Sequence, residues 1–185
     1  MDRKSSTGFG LLLAAILVLA TGHPMEAAAY IKMGDIKGEA TDNEHKDWII
    51  IESMSTTMNV APPGSAGTSA TRRRGDVHLD DITVSKSADA ASPKIAEAVC
   101  LGKVFPKVEI ELTASYTGEQ TYYRYELKNV MVTSYSVNAG GSDRPVENFT
   151  LNFEEVKVHY DEVGMRSKGK GGNAETTWKV EKGEK

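Results

Sequence analysis

A chain of 185 residues with 22 basic against 26 acidic side chains carries a formal charge of −4. Such mild acidity excludes a general nucleic-acid binder, which needs a strongly basic face. The single cysteine, Cys100, excludes an internal disulfide, so stability must come from packing.

The N-terminus has the three parts of a secretory signal. Arg3 and Lys4 supply charge, Leu11 to Ala20 is wholly apolar, and Pro24 precedes the small-residue pair Ala27-x-Ala29. The apolar run is about half of the ~20 residues that a membrane-spanning helix needs. The pattern predicts a signal peptide over 1–29, cut between Ala29 and Tyr30 and leaving no stable membrane anchor. Residues 30–185 then suit one domain with a single core.

Beyond the leader, apolar and polar residues mostly alternate with period two, the mark of half-buried strands. Tyr30 to Met33 open in this way and run into a Gly34-Asp35 turn. Trp48-Ile49-Ile50-Ile51 is apolar on both faces, which predicts a central strand. Val60 to Gly75 is rich in Pro, Gly and small polar residues and ends in Arg72-Arg73-Arg74. A loop of that length is functional or disordered. One helix is signalled over Pro93–Leu101, with Ser92 as N-cap, Pro93 at the first helical position and Gly102 as the stop.

Val108, Ile110, Leu112, Ala114 and Tyr116 then share one strand face. A Thr117-Gly118-Glu119-Gln120 turn leads into Tyr123, Tyr125 and Leu127, which predicts a long hairpin. A further strand is expected from Val130 to Val137, ending at the Asn138-Ala139-Gly140-Gly141 loop. Phe149, Leu151 and Phe153 share a face, but the apolar phase shifts at Glu154-Glu155 to Val156, Val158 and Tyr160. One extra residue does this, which predicts a bulge. A last strand is expected near Thr176–Val180.

Catalytic constellations are absent from the sequence. His45, His78 and His159 have no metal-ligand spacing, and the single cysteine completes none. Gly164 to Gly171 imitates a phosphate-binding loop, but Gly171 stands where the magnesium-holding Ser or Thr belongs and no helix follows. The expectation is therefore no enzyme, no catalytic residue, no metal and no cofactor. Cys100 is expected to be a small buried hydrophobe. Arg72, Arg73 and Arg74 are candidates for contact with a partner's acidic face.

From Tyr30 onward the chain resembles the haemolysin-coregulated protein (Hcp) family, the tube subunit of type VI secretion systems. The resemblance rests on Gly34-Asp-Ile-Lys-Gly38-Glu39, the long loop up to Arg74-Gly75 and Asp80-x-Ile82-Thr-Val-Ser85-Lys86. It continues through Asp89-Ala-Ala-Ser92-Pro93-Lys94-Ile95, the Tyr123–Asn129 strand, Glu147-x-x-x-Leu151-x-Phe153 and Gly171-Gly172-Asn173. It implies a mainly β fold: a small β-barrel of two packed sheets with one short α-helix. It also implies hexameric rings that stack into a tube, small effector proteins carried in the lumen, and contact with the type VI sheath and spike. The family's long loop, here within Val60–Gly75, is implied in contacts between subunits and rings.

The leader departs from the family, whose members begin near Tyr30 and assemble in the cytoplasm. Two readings follow. In one, the chain is a type VI tube subunit whose leader is non-functional or whose true start is Met25, cytoplasmic until type VI export. In the other, the leader is used and the chain is a periplasmic or extracellular binding module of the same fold.

Overall fold

The computed structural model describes residues 27–60, 77–115, 119–141, 143–162 and 172–180. In chain order the elements are β1 (Ala27–Met33), β2 (Ile49–Ile51), β3 (Ser53–Ser55), β4 (Met58–Val60), β5 (Val77–Leu79) and β6 (Ile82–Ser87). Helix α1 (Ser92–Leu101) follows, and then β7 (Val104–Ser115), β8 (Glu119–Asn138), β9 (Val146–Asn152), β10 (Glu155–Asp161) and β11 (Asn173–Lys179).

Nine of these strands form one antiparallel sheet along the path β2-β1-β7-β8-β9-β6-β3, with β10 on a flank of β8 and β11 beyond it. The two remaining strands, β4 and β5, pair only with each other. The fold is thus mainly β with one short helix, as expected, but one detail of the expectation is corrected. Among the described residues the ladder does not close into a barrel. Two sheets are present, as expected, but they are one nine-stranded sheet and a separate two-stranded ribbon. Both ends of the path lie in Ile49–Ser55. Its first half, β2, pairs with β1 and its second half, β3, pairs with β6, so one short run supplies both ends of the path. Glu52 interrupts it and donates its backbone N–H to Ser85 O at 2.8 Å. The strand in the Trp48–Ile51 run, β2, is therefore terminal, not central: Ile49 and Ile51 are buried while Ile50 is 47% exposed.

The predicted hairpin is β7 with β8, and β8 is the spine of the molecule. Its first part lies between β7 and β10, and its later part pairs with β9, including the predicted Val130–Val137 segment. The phase change at Glu154-Glu155 is not an extra residue. Met131 stands opposite Asn152 and Lys128 opposite Glu155, so the register is continuous across the corner. Both strands turn there together: Asn129 adopts a left-handed φ of 50°, and its side-chain amide donates to the Glu154 carboxylate. Buried residues change parity on both strands, from Leu127 to Val130 and from Phe153 to Val156. Separate register shifts near Thr113 and Thr133 add curvature.

The core is aliphatic, built from Ile31, Met33, Ile49, Ile82, Val84, Val108, Ile110 and Leu127 with Phe105 and Phe149 among them. Helix α1 lays Ile95 and Ala98 on it, with Val99 half-buried beside them. Its C-terminus is a left-handed Gly102 cap in which Lys103 N–H donates to Ala98 O and Gly102 N–H to Val99 O. Its N-terminus differs from expectation. Ala91 occupies the cap position, and Ser92 lies inside the helix with its hydroxyl turned to a buried charge cluster.

The segment between β1 and β2 is held by a close backbone approach. Gly38 N–H donates to Asp47 O at 2.8 Å and Ala40 N–H to Trp48 O at 3.0 Å. A Cβ on Gly38 would lie 2.3 Å from Trp48 O, so only glycine fits there.

Candidate functional site

Two buried polar clusters fix the surfaces of the sheet. The first brings the β1–β2 segment against the β7–β8 hairpin. His45 is 1% exposed, with Nδ1 2.7 Å from Asp42 Oδ1 and Nε2 3.0 Å from Glu111 Oε2. A carboxylate only accepts, so both contacts are hydrogen bonds when both ring nitrogens carry hydrogen. Glu111 also accepts from Arg124 Nε at 2.6 Å and Thr121 Oγ1 at 2.8 Å. Burial pushes the Glu111 carboxyl up, but the donors Arg124, His45 and Thr121 outweigh it and hold the group below its ordinary range. Tyr30 stacks on the His45 ring at 4.3 Å between centroids, and Trp48 meets that ring edge-on at 5.0 Å.

The second cluster ties β6, the start of α1, β8 and β9. Lys86 is fully buried, and its ammonium lies 2.8 Å from both Glu147 Oε2 and Asp89 Oδ1. It donates further to Ser87 O at 2.8 Å and Ser92 Oγ at 3.1 Å. Ser92 Oγ and Tyr135 Oη each donate to Glu147 at 2.7 Å. Burial raises the Glu147 carboxyl, but the Lys86, Ser92 and Tyr135 bonds prevail and keep it low. Tyr135 is pushed up to about 12 by burial and by the Glu147 carboxylate beside it. Lys86 and Ser92 are in contact, as in a serine–lysine pair, but the ammonium has no exposure to any substrate. The cluster therefore holds elements together.

The solvent-facing surface divides into charge and apolar patches. Across β7, β8, β10 and β11 runs a mosaic of opposite charges: Lys107 with Glu109 and Glu126, Lys128 with Glu155, and Lys157 with Glu175. Near the helix C-terminus, Leu101 is 72% and Val104 55% exposed, and Met131 faces Val104 across the ladder. The β4–β5 ribbon projects Met58 and Val60 into solvent. Residues 61–76, where the long loop was expected, stand between these two strands in sequence and lie outside the described residues.

The sequence-predicted residues fall in three places. Ala27, Ala29 and Tyr30 lie within β1, where Ala29 stands opposite Leu112 on β7 and Ile51 on β2. Arg72, Arg73 and Arg74, the Gly164–Gly171 segment, the Thr117-Gly118 turn and residues 1–26 lie outside the described residues. Cys100 is exposed, against expectation, because Ile95 and Ala98 take the buried side of α1. Sequence reasoning treated His45 as an isolated histidine and passed over Lys86 and Glu147. For Lys86 and Glu147 a signal was present: both sit where strand alternation asks for a core residue, in Val84-x-Lys86 and Glu147-x-Phe149. Among the described residues no helix is long and apolar enough to cross a membrane.

Known proteins agree with this geometry along most of the chain. A family model for "Type VI secretion system effector, Hcp" matches residues 30–160. Protein hcp1 of Pseudomonas aeruginosa is 31% identical over 158 residues, spanning 84% of this chain and 96% of that protein. A solved structure described as a type six secretion system protein superposes with a TM-score of 0.79 at 28% identity, covering 86% of this chain and 99% of its own. Hcp1 from Salmonella typhimurium shares the fold with a TM-score of 0.66 at 20% identity, over 84% of this chain and 96% of its own.

Proposed function

This chain belongs to the Hcp family of type VI secretion proteins, and we propose that it works as a structural ring and tube subunit of such a system. The observation that carries the reading is the match in both sequence and fold, over 84% and 86% of this chain respectively. The chain's own physics supports it. The sheet leaves strand edges at β3 and β11, the surface carries apolar patches at Leu101, Val104 and Met131, and the ribbon exposes Met58 and Val60. Unpaired edges and exposed apolar area favour closed assembly. The buried clusters act as staples that keep those surfaces in a fixed relation.

In this reading six copies close into a ring, rings stack into a tube, and effectors travel in the lumen beside sheath and spike components. Arg72, Arg73 and Arg74, in the segment joining β4 to β5, meet carboxylates on the adjacent subunit or ring. Native mass spectrometry at micromolar concentration tests the ring, with six protomers as the expected mass. A persistent monomer would refute ring formation. Replacing the three arginines with alanine should leave thermal unfolding nearly unchanged and weaken stacking in a salt-sensitive manner. Stacking equal to the parent's at low and high salt would refute their role.

A second reading concerns location and rests on Arg3, Lys4, the Leu11–Ala20 run and Ala27-x-Ala29. The leader directs export before folding, and the domain then acts in the periplasm or outside the cell. Intact masses from periplasmic and cytoplasmic fractions decide between a chain starting at Tyr30 and one that stays whole in the cytoplasm until type VI export.

A further inference from the structure

The Ala29–Tyr30 bond, whose processing the leader reading requires, lies inside a strand paired on both sides. We infer that folding conceals this bond, so that Ala27–Tyr30 serves either as a peptidase substrate in the unfolded chain or as part of β1 in the folded one. The inference rests on the leader reading and adds to it the condition under which processing can occur.

Three observations carry it. First, every residue of β1 is opposite a residue of β7, from Ala27 with Ala114 to Met33 with Val108, and Ala29, Tyr30 and Ile31 are also opposite β2. A peptidase holds its substrate as an extended strand through backbone hydrogen bonds, and these groups are already engaged in the ladder. Second, the small side chains at positions −3 and −1 of the cut must enter the enzyme's pockets; Ala27 at −3 is exposed, but Ala29 at −1 is half-buried against the core and Tyr30, just after the cut, is 7% exposed. Third, the residues that follow are locked. Ile31 and Met33 have no exposed surface, and the Tyr30 ring is stacked on His45, itself held between Asp42 and Glu111. Freeing the bond requires peeling β1 off both neighbours, which opens the core.

The reaction is a hydrolysis. Water adds across the amide, leaving a carboxylate on Ala29 and an ammonium on Tyr30. The product differs from the uncut protein inside the fold. Without Ala27–Ala29, residues Leu112–Ala114 lose their β1 partners, and Thr113 Oγ1 loses its bond to Ala28 O. A chain folded in the cytoplasm keeps the whole of β1, whereas an exported chain has a shortened one.

The test uses the full chain from Met1, purified folded and incubated in detergent with a bacterial signal peptidase, with cutting read by intact mass. Two substrates lack the fold: the Ile110→Asp variant, which puts a charge opposite Ile31 in the core, and a synthetic peptide of residues 15–40. Cutting of the unfolded substrates after Ala29, with the folded chain cut at least about a thousandfold more slowly as for reactions limited by global opening, is the expected result. Equal rates for folded chain and peptide would overturn the inference and leave the leader reading intact. Failure of the peptide to be cut after Ala29 would overturn the leader reading, and the inference with it. If Ile110→Asp stays folded by circular dichroism, the peptide alone supplies the comparison.

Discussion

Replacing Lys86 with methionine removes the one cation in the cluster that joins β6, α1, β8 and β9. Methionine matches the length of the aliphatic stem, so little cavity forms, and the loss is electrostatic. Glu147, 2% exposed, keeps its donors from Ser92 and Tyr135, and Asp89 keeps the Ala91 N–H at 2.9 Å. Two carboxylates then share a buried site with no counter-charge. Breaking a buried pair by removing one partner costs about 3–5 kcal/mol. At about 2–4 °C per kcal/mol for a chain of this size, the midpoint should fall by about 6–20 °C. Glu147→Gln should cost less, about 1.5–3 kcal/mol, because Lys86 retains Asp89 at 2.8 Å. The double variant Lys86→Met/Glu147→Gln should lose less than the two single losses combined, by about 0.5–3 kcal/mol of coupling. Urea unfolding followed by tryptophan fluorescence at one fixed protomer concentration measures all three, since assembly makes stability depend on concentration. A Lys86→Met protein within about 1 kcal/mol of the parent would refute the account, because that is the size of a surface pair.

Four further outcomes are expected. Tyr135 is raised in the fold from 10.0 to about 12, so its contribution is complete below pH 10 and is lost as pH climbs toward 12. The urea-midpoint difference between parent and Tyr135→Phe should narrow over that range, and a constant difference refutes the assignment. Glu147 titrates in the opposite sense, being held low: its contribution is present above pH 4.5 and falls away as acid reaches its folded value. Gly38→Ala forces a Cβ to within 2.3 Å of Trp48 O and should destabilise by about 3 kcal/mol in urea unfolding, at the upper end for overpacking. Asn129→Gly should be tolerated at φ 50°, whereas Asn129→Ala should lose about 1–2 kcal/mol in the same assay.

Strand alternation and capping made most of the elements legible from sequence, since Val108, Ile110 and Ile95 point inward as their spacing requires. What sequence concealed were features decided by partners far along the chain. The corner at Asn129 and Glu154 imitates an inserted residue because both strands change face together, and a single strand read alone cannot show its neighbour doing the same. His45 has a local partner in Asp42, but Glu111, itself held by Arg124, lies 66 residues further along the chain and reaches the ring only in the folded sheet. Ser92 has the chemistry of an N-cap, but a buried cation and carboxylate compete for its hydroxyl and win. The partners of Ile49–Ser55 were equally hidden, because that one short run changes from β1 to β6 at Glu52 and neither neighbour is near it in sequence.

The pairing of Ala27 with Ala114 also sets a clock. Strand β1 is among the first parts of the domain to be synthesised, but its ladder partner lies ~90 residues later, beyond α1. At ~5–20 residues per second, β1 waits about 5–20 seconds for β7 to exist. During that interval β1 is an apolar strand without its main neighbour, open to chaperones and export factors. The order in which the strands leave the ribosome thus fixes how long the fate of the chain stays undecided.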